Sequence, residues 1–549
     1  MSELPILTII TLLPLVSGII VAGLGEQKQL ARKLALISSF LSLGLVLVLW
    51  KNFNAASGEL QFVEKHEWIP ALGANYFVGV DGLGLLMVLL AAIVVPMALL
   101  ASWNMEGTRS TASQTSSAKI GDAVERVPTG HGAHLYFSLV LFLQAGLFGT
   151  FTALNFFHWF IFWELSLIPA FFLVRLWGGP QRAAAATQFF IYTMVGSVAM
   201  LLAFLGIFLA TKTDTAPGVF DFTTLAEMGR NGSLTQALST NFGWKLFGHA
   251  FTGHQMCLLI FGGVLLGFAV KVPLMPFHTW LPTAYAEAPS PVTMLLTGVM
   301  SKMGVYGFVR IVLPIFAPQL SEPRVQNVLL SLAVVTIVFS ACAAFAQRDL
   351  KRILAYSSIN HLGYCLLGVF AVAKNSGDAV EKSAALNGVF LQMFNHGLTA
   401  ATLFWFVALL EQRSGGLRGL NDFGGVRKVA PILCGLMGIA LFSSLGLPGL
   451  NGFVGEFLIF KGVFPLATCS ASLSVLGLLV TAIFILTILQ RVFNGPLNEK
   501  WSKLPDLTLG ERALLAMPIA LMFVLGVWPR LVLDVINPTV VRMVEQLKF

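Results

Sequence analysis

The sequence contains little charge. Asp, Glu, Lys and Arg make up only 11% of its 549 residues, whereas a soluble domain carries about 25%. Apolar residues account for 56%, and the mean hydropathy is +0.81. The shortage of charge excludes a soluble globular protein and a disordered chain, and it indicates a protein that crosses a membrane many times.

Cysteine is also scarce, and no two of the five cysteines form a C-x-x-C pair. They are Cys257, Cys342, Cys365, Cys434 and Cys469. An iron–sulfur cluster needs about four cysteine ligands at defined spacing, so we expect these side chains to be small buried apolar residues. The chain also has no P-loop or dinucleotide-binding fingerprint. We therefore expect no cofactor and no metal in this chain.

About fourteen apolar runs are long enough for membrane-spanning helices, which need about 20 residues each. They begin near residues 5, 34, 78, 135, 154, 186, 256, 291, 327, 353, 385, 431, 471 and 513. None shows the alternating pattern of a barrel strand. The first run is nearly long enough to span and lacks a basic leader, so we expect no cleavable signal peptide. The prediction is an all-α polytopic protein with about fourteen transmembrane helices.

Positive charge is distributed unevenly between the two sets of alternate loops. One set holds 19 Lys and Arg residues and the other holds 12. Because positive loops stay in the cytoplasm, the first set is predicted to be cytoplasmic and both termini to face outward. The net charge of +8 is spread over short loops rather than one basic face, which argues against nucleic-acid binding.

Two apolar runs, the seventh and the twelfth, are interrupted by proline or glycine. They occupy corresponding positions if runs four to eight and nine to thirteen are two five-helix repeats of opposite topology, an arrangement found in secondary transporters. This predicts four segments. They are residues 1–134, with three helices and a polar cytoplasmic loop at 104–134; the first repeat, 135–316; the second repeat, 327–492; and a loop with helix 14, 493–549.

A few charged residues lie in the middle of apolar runs, where a charge costs about 2.5–3.5 kcal/mol. They are Glu164, Lys271, Lys302 and Glu456. A structural alternative exists for each: Glu164 as a helix–helix contact, for example, or Lys271 reaching the membrane surface. Their mid-run positions favour proton transfer instead. Asp81 and Glu287 lie at run ends, where a structural role is expected.

Proline and histidine accompany these charges. Pro273 and Pro276 follow Lys271 and break the helix, with His278 just beyond, and Pro448 precedes Glu456. Carbonyls freed at membrane depth must be buried in protein or face water.

Two polar stripes at helical spacing contain His361, with Ser357 on the same face, and His396. Histidine in a hydrated stripe suits a proton relay, although a lone core histidine is usually structural. Tyr306 lies one turn after Lys302 and shares its face. We therefore predict a polar axis in which Glu164 moves relative to Lys271, the proton passes through Lys302 and the histidines, and Glu456 exchanges it with one side of the membrane.

The motifs around these residues resemble those of the antiporter-like, proton-translocating subunits of respiratory complex I, and most closely the M-chain branch, which corresponds to mitochondrial subunit 4. The main marks are Phe162-Trp-Glu164-Leu, Lys271-Val-Pro-Leu-Met-Pro-Phe-His-Thr-Trp-Leu-Pro282, Lys302 with Tyr306-Gly, Asn395-His396-Gly-Leu, and Leu447-Pro-Gly449 with Asn451 to Phe457. The resemblance covers nearly the whole chain.

This resemblance implies fourteen core helices in two inverted repeats, and proton translocation coupled to quinone reduction elsewhere in the complex. It assigns proton-pathway roles to Glu164, Lys271, Lys302 and Glu456, with His361 and His396 between them. NADH, FMN, iron–sulfur clusters and quinone are expected in partner subunits of the membrane-embedded complex, which include other antiporter-like subunits. The membrane is expected to be a prokaryotic inner membrane, with a thylakoid membrane as the alternative.

Other functions stay open. A chain of related build could serve a multisubunit sodium/proton antiporter, a membrane-bound hydrogenase or a bicarbonate-uptake complex. A polytopic enzyme acting on lipid or sugar would need catalytic groups clustered at a membrane face, whereas the candidates here lie mid-run.

Overall fold

A computed structural model of the chain describes residues 4–103, 132–241, 245–246 and 249–547. The polar loop predicted at 104–134 lies outside the described residues except for its last three positions. Helices dominate the described part. The apolar helices are α1 Ile6–Ala22, α2 Lys28–Asn52, α3 Gly82–Ala101, α4 Ala133–Thr152, α5 Phe156–Trp177, α6 Arg182–Thr211, α7 Gly253–Lys271 continued by Trp280–Glu287, α8 Ser290–Ile315, α9 Pro323–Ala346, α10 Leu350–Val372, α11 Ala379–Ser414, α12 Pro431–Leu445 continued by Asn451–Leu466, α13 Thr468–Phe493 and α14 Leu509–Val527.

Twelve helices in these ranges are long and apolar enough to cross a membrane, and Ile6–Ala22 and Pro431–Leu445 are shorter apolar helices. Together they match the fourteen predicted runs. The chain is a multi-pass membrane protein, and the predicted all-α architecture is confirmed. The predicted segment boundaries lie close to helix ends, but the division into two inverted repeats stays a prediction.

The same neighbours pack in both halves of the chain. Helix α4 packs on α5 and α6 packs on α7, while α9 packs on α10 and α11 packs on α12. The breaks fall in α7 and α12, as the interrupted runs predict. Helices α8 and α11 are buried along the whole of their apolar stretches. The centre of the bundle therefore lies where these two helices meet.

Several elements lie outside the predicted runs. An antiparallel hairpin is formed by β1 Gln61–Ile69 and β2 Ala74–Val80, and a final helix, α15 Arg530–Gln546, follows α14. Shorter pieces are the helices Phe222–Arg230, Ser233–Asn241 and Ala317–Ser321, the 3-10 turns Pro70–Leu72, Val426–Lys428 and Glu499–Trp501, and the two-residue strands Lys245–Leu246 and His249–Ala250.

The outer surface of the bundle is apolar. Exposed residues such as Ile19, Leu202 and Leu479 give it the composition that lipid or a neighbouring membrane subunit requires. Cys342 and Cys469 are also exposed, so the expectation that the cysteines are buried is wrong for these two. Both lie in apolar helical stretches where a small apolar side chain meets lipid as readily as protein.

Candidate functional site

Lys302 lies between two π-helical stretches of α8, Leu296–Met300 and Phe308–Val312. In the first stretch the Ser301 amide donates to the Leu296 carbonyl at 3.0 Å, five residues back, where an α-helix would use Thr297. The Thr297 carbonyl is thereby free to accept hydrogen bonds from the Lys302 Nζ and from the Ser301 Oγ at 3.0 Å. The π-turn therefore supplies a polar partner to a charge in the middle of the bundle.

The Lys302 ammonium reaches across to α11. Its Nζ donates to His396 Nδ1 at 2.8 Å and lies 3.4 Å from the Ser301 Oγ. Lys302 has no exposed surface. A buried ammonium is stable only where hydrogen bonds replace its water shell, and His396 provides one of them in its neutral form.

His361 continues the line from His396 toward α12. The two imidazole rings are 4.9 Å apart between centroids. His361 Nδ1 donates to Glu456 Oε1 at 2.9 Å, and its Nε2 lies 3.1 Å from the Ser444 Oγ. Lys302, His396, His361 and Glu456 therefore form one buried row, which contains four of the six residues of the predicted polar axis.

The break in α12 presents the Glu456 carboxylate to this row. Gly446 is left-handed, with φ of 81°, and the Leu447 amide turns back to the Phe442 carbonyl at 3.1 Å. This is a glycine-terminated helix end, and Pro448 then prevents its continuation. The helix resumes so close to the first half that a Cβ on Gly452 would lie 1.9 Å from the Ser443 carbonyl oxygen.

Amide and hydroxyl side chains surround the break, and Asn395 and Asn451 among them belong to the motifs quoted from the sequence. The Asn395 amide donates to the Asn451 carbonyl at 2.6 Å, and Ser443 bonds to the Asn451 side chain. Gln392 Nε2 lies 3.3 Å from Glu456 Oε1. The Asn395 amide thus ties α11 to the start of the second half of α12, and Gln392 gives the carboxylate a second donor.

The break in α7 follows from Pro273, which has no backbone N–H. The Leu274 amide bonds to the Ala269 carbonyl at 2.9 Å, so the Val270 carbonyl loses its helical partner and accepts the Trp280 indole N–H at 3.0 Å. The Met275 amide donates to the Thr336 hydroxyl of α9 at 3.1 Å. Because these bonds hold the two halves of α7 in place, Lys271 stays at the broken end.

Lys271 is buried and lies over the indole ring of Trp163, with its Nζ 4.8 Å from the ring centroid. Among the described residues its Nζ has no hydrogen-bond partner, and neither has Glu164 Oε1. Trp163 and Glu164 are consecutive residues of α5, so a cation–π contact replaces the direct carboxylate contact. Glu164 and Lys271 therefore lie on neighbouring helices, but no hydrogen bond connects the Lys271 ammonium to the Glu164 carboxylate within the described residues.

The supporting residues have different surroundings. Ser357 is buried on α10. His278 is also buried, and within the described ranges its Nδ1 has no partner. The Tyr306 hydroxyl donates to the Phe151 carbonyl at 3.0 Å, not to Lys302. Glu287 accepts the Gln181 amide at 2.9 Å, which fits the structural role expected at the end of a run.

Arg310 is a largely buried charge that was not predicted from the sequence. It lies two turns after Lys302 on α8 and pairs with Asp81. Asp81 also caps α3 by accepting the Gly84 amide at 3.0 Å, a structural role as expected. The signal was present in the sequence, because Arg310 lies inside an apolar run and is subject to the same cost as Lys302.

A second missed cluster lies where the first turn of α10 meets the last turns of α11. Arg418 Nε contacts Asp349 Oδ2 at 2.6 Å and its Nη1 contacts Glu411 Oε1 at 3.4 Å. Glu411 is 3.5 Å from the buried Lys351, whose Nζ donates to the Ala288 carbonyl at 3.0 Å. Burial disfavours the charged guanidinium, but the two carboxylates outweigh it and hold the pKa of Arg418 above its ordinary value. This cluster ties the second half of the chain to the junction of α7 and α8.

No group of three or more His, Cys, Asp or Glu side chains is arranged to hold a metal ion in the described part of the chain. The row from Lys302 to Glu456 consists of groups that gain and lose protons. It can therefore move protons between helices without a redox group.

The chain is similar to a known family of membrane proteins. A family model described as NADH:quinone oxidoreductase/Mrp antiporter, TM, matches residues 153–484. The NADH-quinone oxidoreductase subunit M of Mycobacterium tuberculosis is 33% identical over 98% of this chain and 94% of that protein. The F(420)H(2) dehydrogenase subunit M of Methanosarcina mazei is 34% identical over 97% of this chain and 96% of that protein.

A solved structure shows the same fold. A chain of respiratory complex I from Thermus thermophilus with bound NADH matches 99% of this chain and 100% of its own length, with a TM-score of 0.79 and 26% identity. The resemblance that the motifs indicate is confirmed.

Proposed function

Because the chain belongs to the NADH:quinone oxidoreductase/Mrp antiporter family of transmembrane subunits, we propose that it is the M-type subunit in the membrane arm of an NADH:quinone oxidoreductase. In this role it translocates protons while quinone is reduced elsewhere in the complex. The observation that supports the proposal most directly is the buried row of Lys302, His396, His361 and Glu456, whose polar atoms and rings are in contact across four helices.

The row moves a proton by relay. The Lys302 Nζ gives a proton to His396 Nδ1, the contact between the two imidazoles passes a proton on to His361, and His361 hands it to the Glu456 carboxylate. Each transfer covers a single contact, and each leaves a charge that the next transfer removes. Because the row is buried, these charges interact with one another more strongly than they would in water.

Lys271 and Glu164 control this relay from the other half of the chain. The Lys271 ammonium lies against Trp163, and a movement of α5 that brings the adjacent Glu164 carboxylate to the ammonium replaces the ring contact with an ion pair. The carboxylate stabilises the ammonium when it is near, and the ammonium loses that stabilisation when it moves away. An input from the neighbouring subunit that shifts α5 therefore makes Lys271 hold or release its proton.

The proposed surroundings follow from the sequence and the family. The loops rich in Lys and Arg lie in the cytoplasm and both termini lie outside. The chain contributes no redox group. NADH, FMN, iron–sulfur clusters and quinone are bound by partner subunits, and other antiporter-like subunits are neighbours in a prokaryotic inner membrane.

Two alternatives have support within the family. Its description includes Mrp antiporters, and one relative belongs to an F(420)H(2) dehydrogenase, so the electron donor can differ while the membrane subunit stays similar. An enzyme acting on lipid or sugar is disfavoured because the charged row lies in the middle of α8, α10, α11 and α12 and not at a membrane face.

Inverted membrane vesicles separate these functions. NADH is added to vesicles that contain the native chain and to vesicles from a deletion strain, and acidification of the interior and quinone reduction are followed together. We expect both signals only with the native chain. An antiporter would instead dissipate a preformed pH gradient when Na⁺ is added without NADH. If F(420)H(2) alone drives acidification, the donor assignment is wrong while the proton role stands.

A further inference from the structure

Helices α8 and α11 cross at two glycines, Gly298 and Gly397. A Cβ built on Gly397 would lie 2.5 Å from the Gly298 carbonyl oxygen, and a Cβ built on Gly298 would lie 3.3 Å from the Gly397 carbonyl oxygen. Both distances are shorter than an ordinary van der Waals contact, so the two backbones touch each other directly. Small residues permit this close approach where helices pack inside a membrane.

A third helix holds the crossing from the side. Leu90 and Val94 lie one turn apart on α3, and neither has any exposed surface. The Leu90 side chain would lie 2.7 Å from a Cβ on Gly397, and the Val94 side chain would lie 3.0 Å from a Cβ on Gly298. Because α3 fills the space beside both glycines, neither α8 nor α11 can shift toward α3 without displacing it.

The crossing lies next to the first contact of the buried row. Gly397 directly follows His396, and Gly298 precedes Lys302 by four residues, about one helical turn. The Lys302 Nζ and His396 Nδ1 are 2.8 Å apart, a distance that permits direct proton transfer. Because no side chain separates the two backbones at the glycines, their close contact sets the length of this hydrogen bond.

The crossing also supports the second partner of the Lys302 ammonium. Gly298 is the central residue of the π-helical stretch Leu296–Met300, which leaves the Thr297 carbonyl free to accept from Lys302. The Gly298 carbonyl lies against the Cα of Gly397, a contact of the Cα–H···O=C kind. Since π-turns are rare in helices, we attribute this one to its packing on α11. A wider crossing would therefore weaken both hydrogen bonds of the ammonium.

We propose that Gly298 and Gly397 are positioning residues for proton transfer between Lys302 and His396. The inference rests on the proposed function. The glycines act through the two side chains, by holding α8 and α11 at the spacing that the transfer requires. In the transfer an N–H bond of the Lys302 ammonium breaks and an N–H bond forms at His396 Nδ1, so one proton and one positive charge move together. A misplacement of about 1 Å in such a contact costs about 10²-fold in rate.

The test places a methyl group in the crossing of the assembled complex. Gly397→Ala brings the methyl group against the Gly298 carbonyl, so α8 and α11 must separate. The matched control is Gly462→Ala on α12, where a Cβ would lie 2.4 Å from the Ala385 amide nitrogen of α11. This second contact is as close as the first and involves the same helix. It lies eleven residues from His396, which is about 16 Å along α11.

NADH-driven acidification of inverted vesicles is measured per assembled complex, in ordinary water and in heavy water. We expect Gly397→Ala to lower the pumping rate at least about tenfold, a barrier increase of about 1.4 kcal/mol, and to raise the ratio of the two rates above the native ratio. The ratio rises because proton transfer across a longer gap becomes the slow step, whereas a loss of stability lowers only the amount of complex.

The other variants define how specific this effect is. Gly462→Ala is expected to keep the native rate per complex and the native isotope ratio. Gly298→Ala creates a milder overlap and is expected to assemble, with smaller changes of the rate and the ratio in the same direction as Gly397→Ala.

The proposal is overturned if Gly397→Ala pumps at the native rate, if its slower pumping keeps the native isotope ratio, or if Gly462→Ala changes both quantities equally. If Gly397→Ala does not assemble, a native rate and a native ratio in Gly298→Ala overturn it. In each case native vesicles that pump with NADH leave the proposed function standing, whereas native vesicles that do not pump remove that function.

Discussion

At Lys302, one substitution can separate the side chain's ability to transfer a proton from its positive charge. Arginine keeps the positive charge but does not give up its proton in proteins. We expect Lys302→Arg to assemble into the complex and to lose proton pumping by at least about tenfold, because the relay to His396 requires a neutral intermediate.

The measurement is acidification of inverted vesicles relative to the amount of assembled complex. Lys461→Arg is the control, since Lys461 is exposed on α12. Native pumping by Lys302→Arg would mean that Lys302 contributes only a fixed charge.

Glu456 permits the complementary test at the other end of the row. Glu456→Gln keeps an oxygen that accepts the His361 hydrogen bond but cannot bind a proton as a carboxylate does. Pumping and quinone reduction are expected to fall by at least about tenfold, and Glu456→Asp is expected to recover part of both.

The control is Glu499→Gln, because Glu499 is exposed in the segment between α13 and α14. This variant should pump as the native chain does. If Glu456→Gln pumps normally, the row ends elsewhere.

The sequence predicts these residues because a charge inside an apolar run costs free energy on insertion into the membrane, so such a charge usually has a function. It predicts the row from Lys302 to Glu456, and the structure places its members in contact. It does not predict that Lys302 depends on the Thr297 carbonyl, because a π-turn is set by the packing of α8 and leaves no mark in hydrophobic periodicity. Arg310 could have been predicted. The hydrogen bond between Ser443 and the Asn451 side chain could not, since an uncharged amide in a glycine-rich stretch resembles an ordinary turn residue.

At the scale of helices, the break in α12 depends on close contact between its two halves. Gly452→Ala would place a methyl group 1.9 Å from the Ser443 carbonyl oxygen, so the halves must separate. We expect a loss of about 1–3 kcal/mol or more in stability, seen as a lower melting temperature of the purified complex.

The matched control is Gly435→Ala on the first half of α12, where a Cβ would meet nothing within 4 Å. Alanine there should be neutral or stabilising by up to about 1 kcal/mol. Equal effects of the two substitutions would contradict the role assigned to the close contact.

The helices themselves were predictable, and the breaks in α7 and α12 were predictable from their prolines and glycines. The hairpin β1–β2 was not, because Gln61–Ile69 contains charged residues where a half-buried strand would alternate. Helix α15 was missed for a related reason: it is too polar to resemble a membrane span, and its apolar residues Val532, Val535, Ile536 and Val540 form only one face.

At the scale of the whole molecule, the loop charges predict which end of the bundle is cytoplasmic. Asp214→Cys lies in the loop after α6 and Ser502→Cys in the loop after α13, and both positions are exposed. In a background whose five native cysteines are replaced by alanine, an impermeant thiol reagent added to whole cells is expected to label Asp214→Cys only.

In inverted vesicles the labelling pattern should reverse. Labelling of Ser502→Cys from outside the cell would contradict the predicted orientation.

The pairing of the two halves was predicted only as a pattern of interrupted helices, because the two repeats share little residue-level similarity. What connects them in the structure is contact between α8 and α11, through Lys302 and His396, and the charged cluster around Arg418. Such contacts join residues far apart in the sequence, and no local pattern specifies them.

The central claim is that buried lysines carry protons whose movement is coupled to quinone reduction. It is tested most directly by measuring NADH-driven acidification and quinone reduction together in inverted vesicles with native Lys271, with Lys271→Ala and with the exposed control Lys461→Ala. The account predicts that acidification and quinone reduction both fall in Lys271→Ala, in a complex that still assembles, while Lys461→Ala matches the native chain. Unchanged NADH-driven acidification in Lys271→Ala would contradict it.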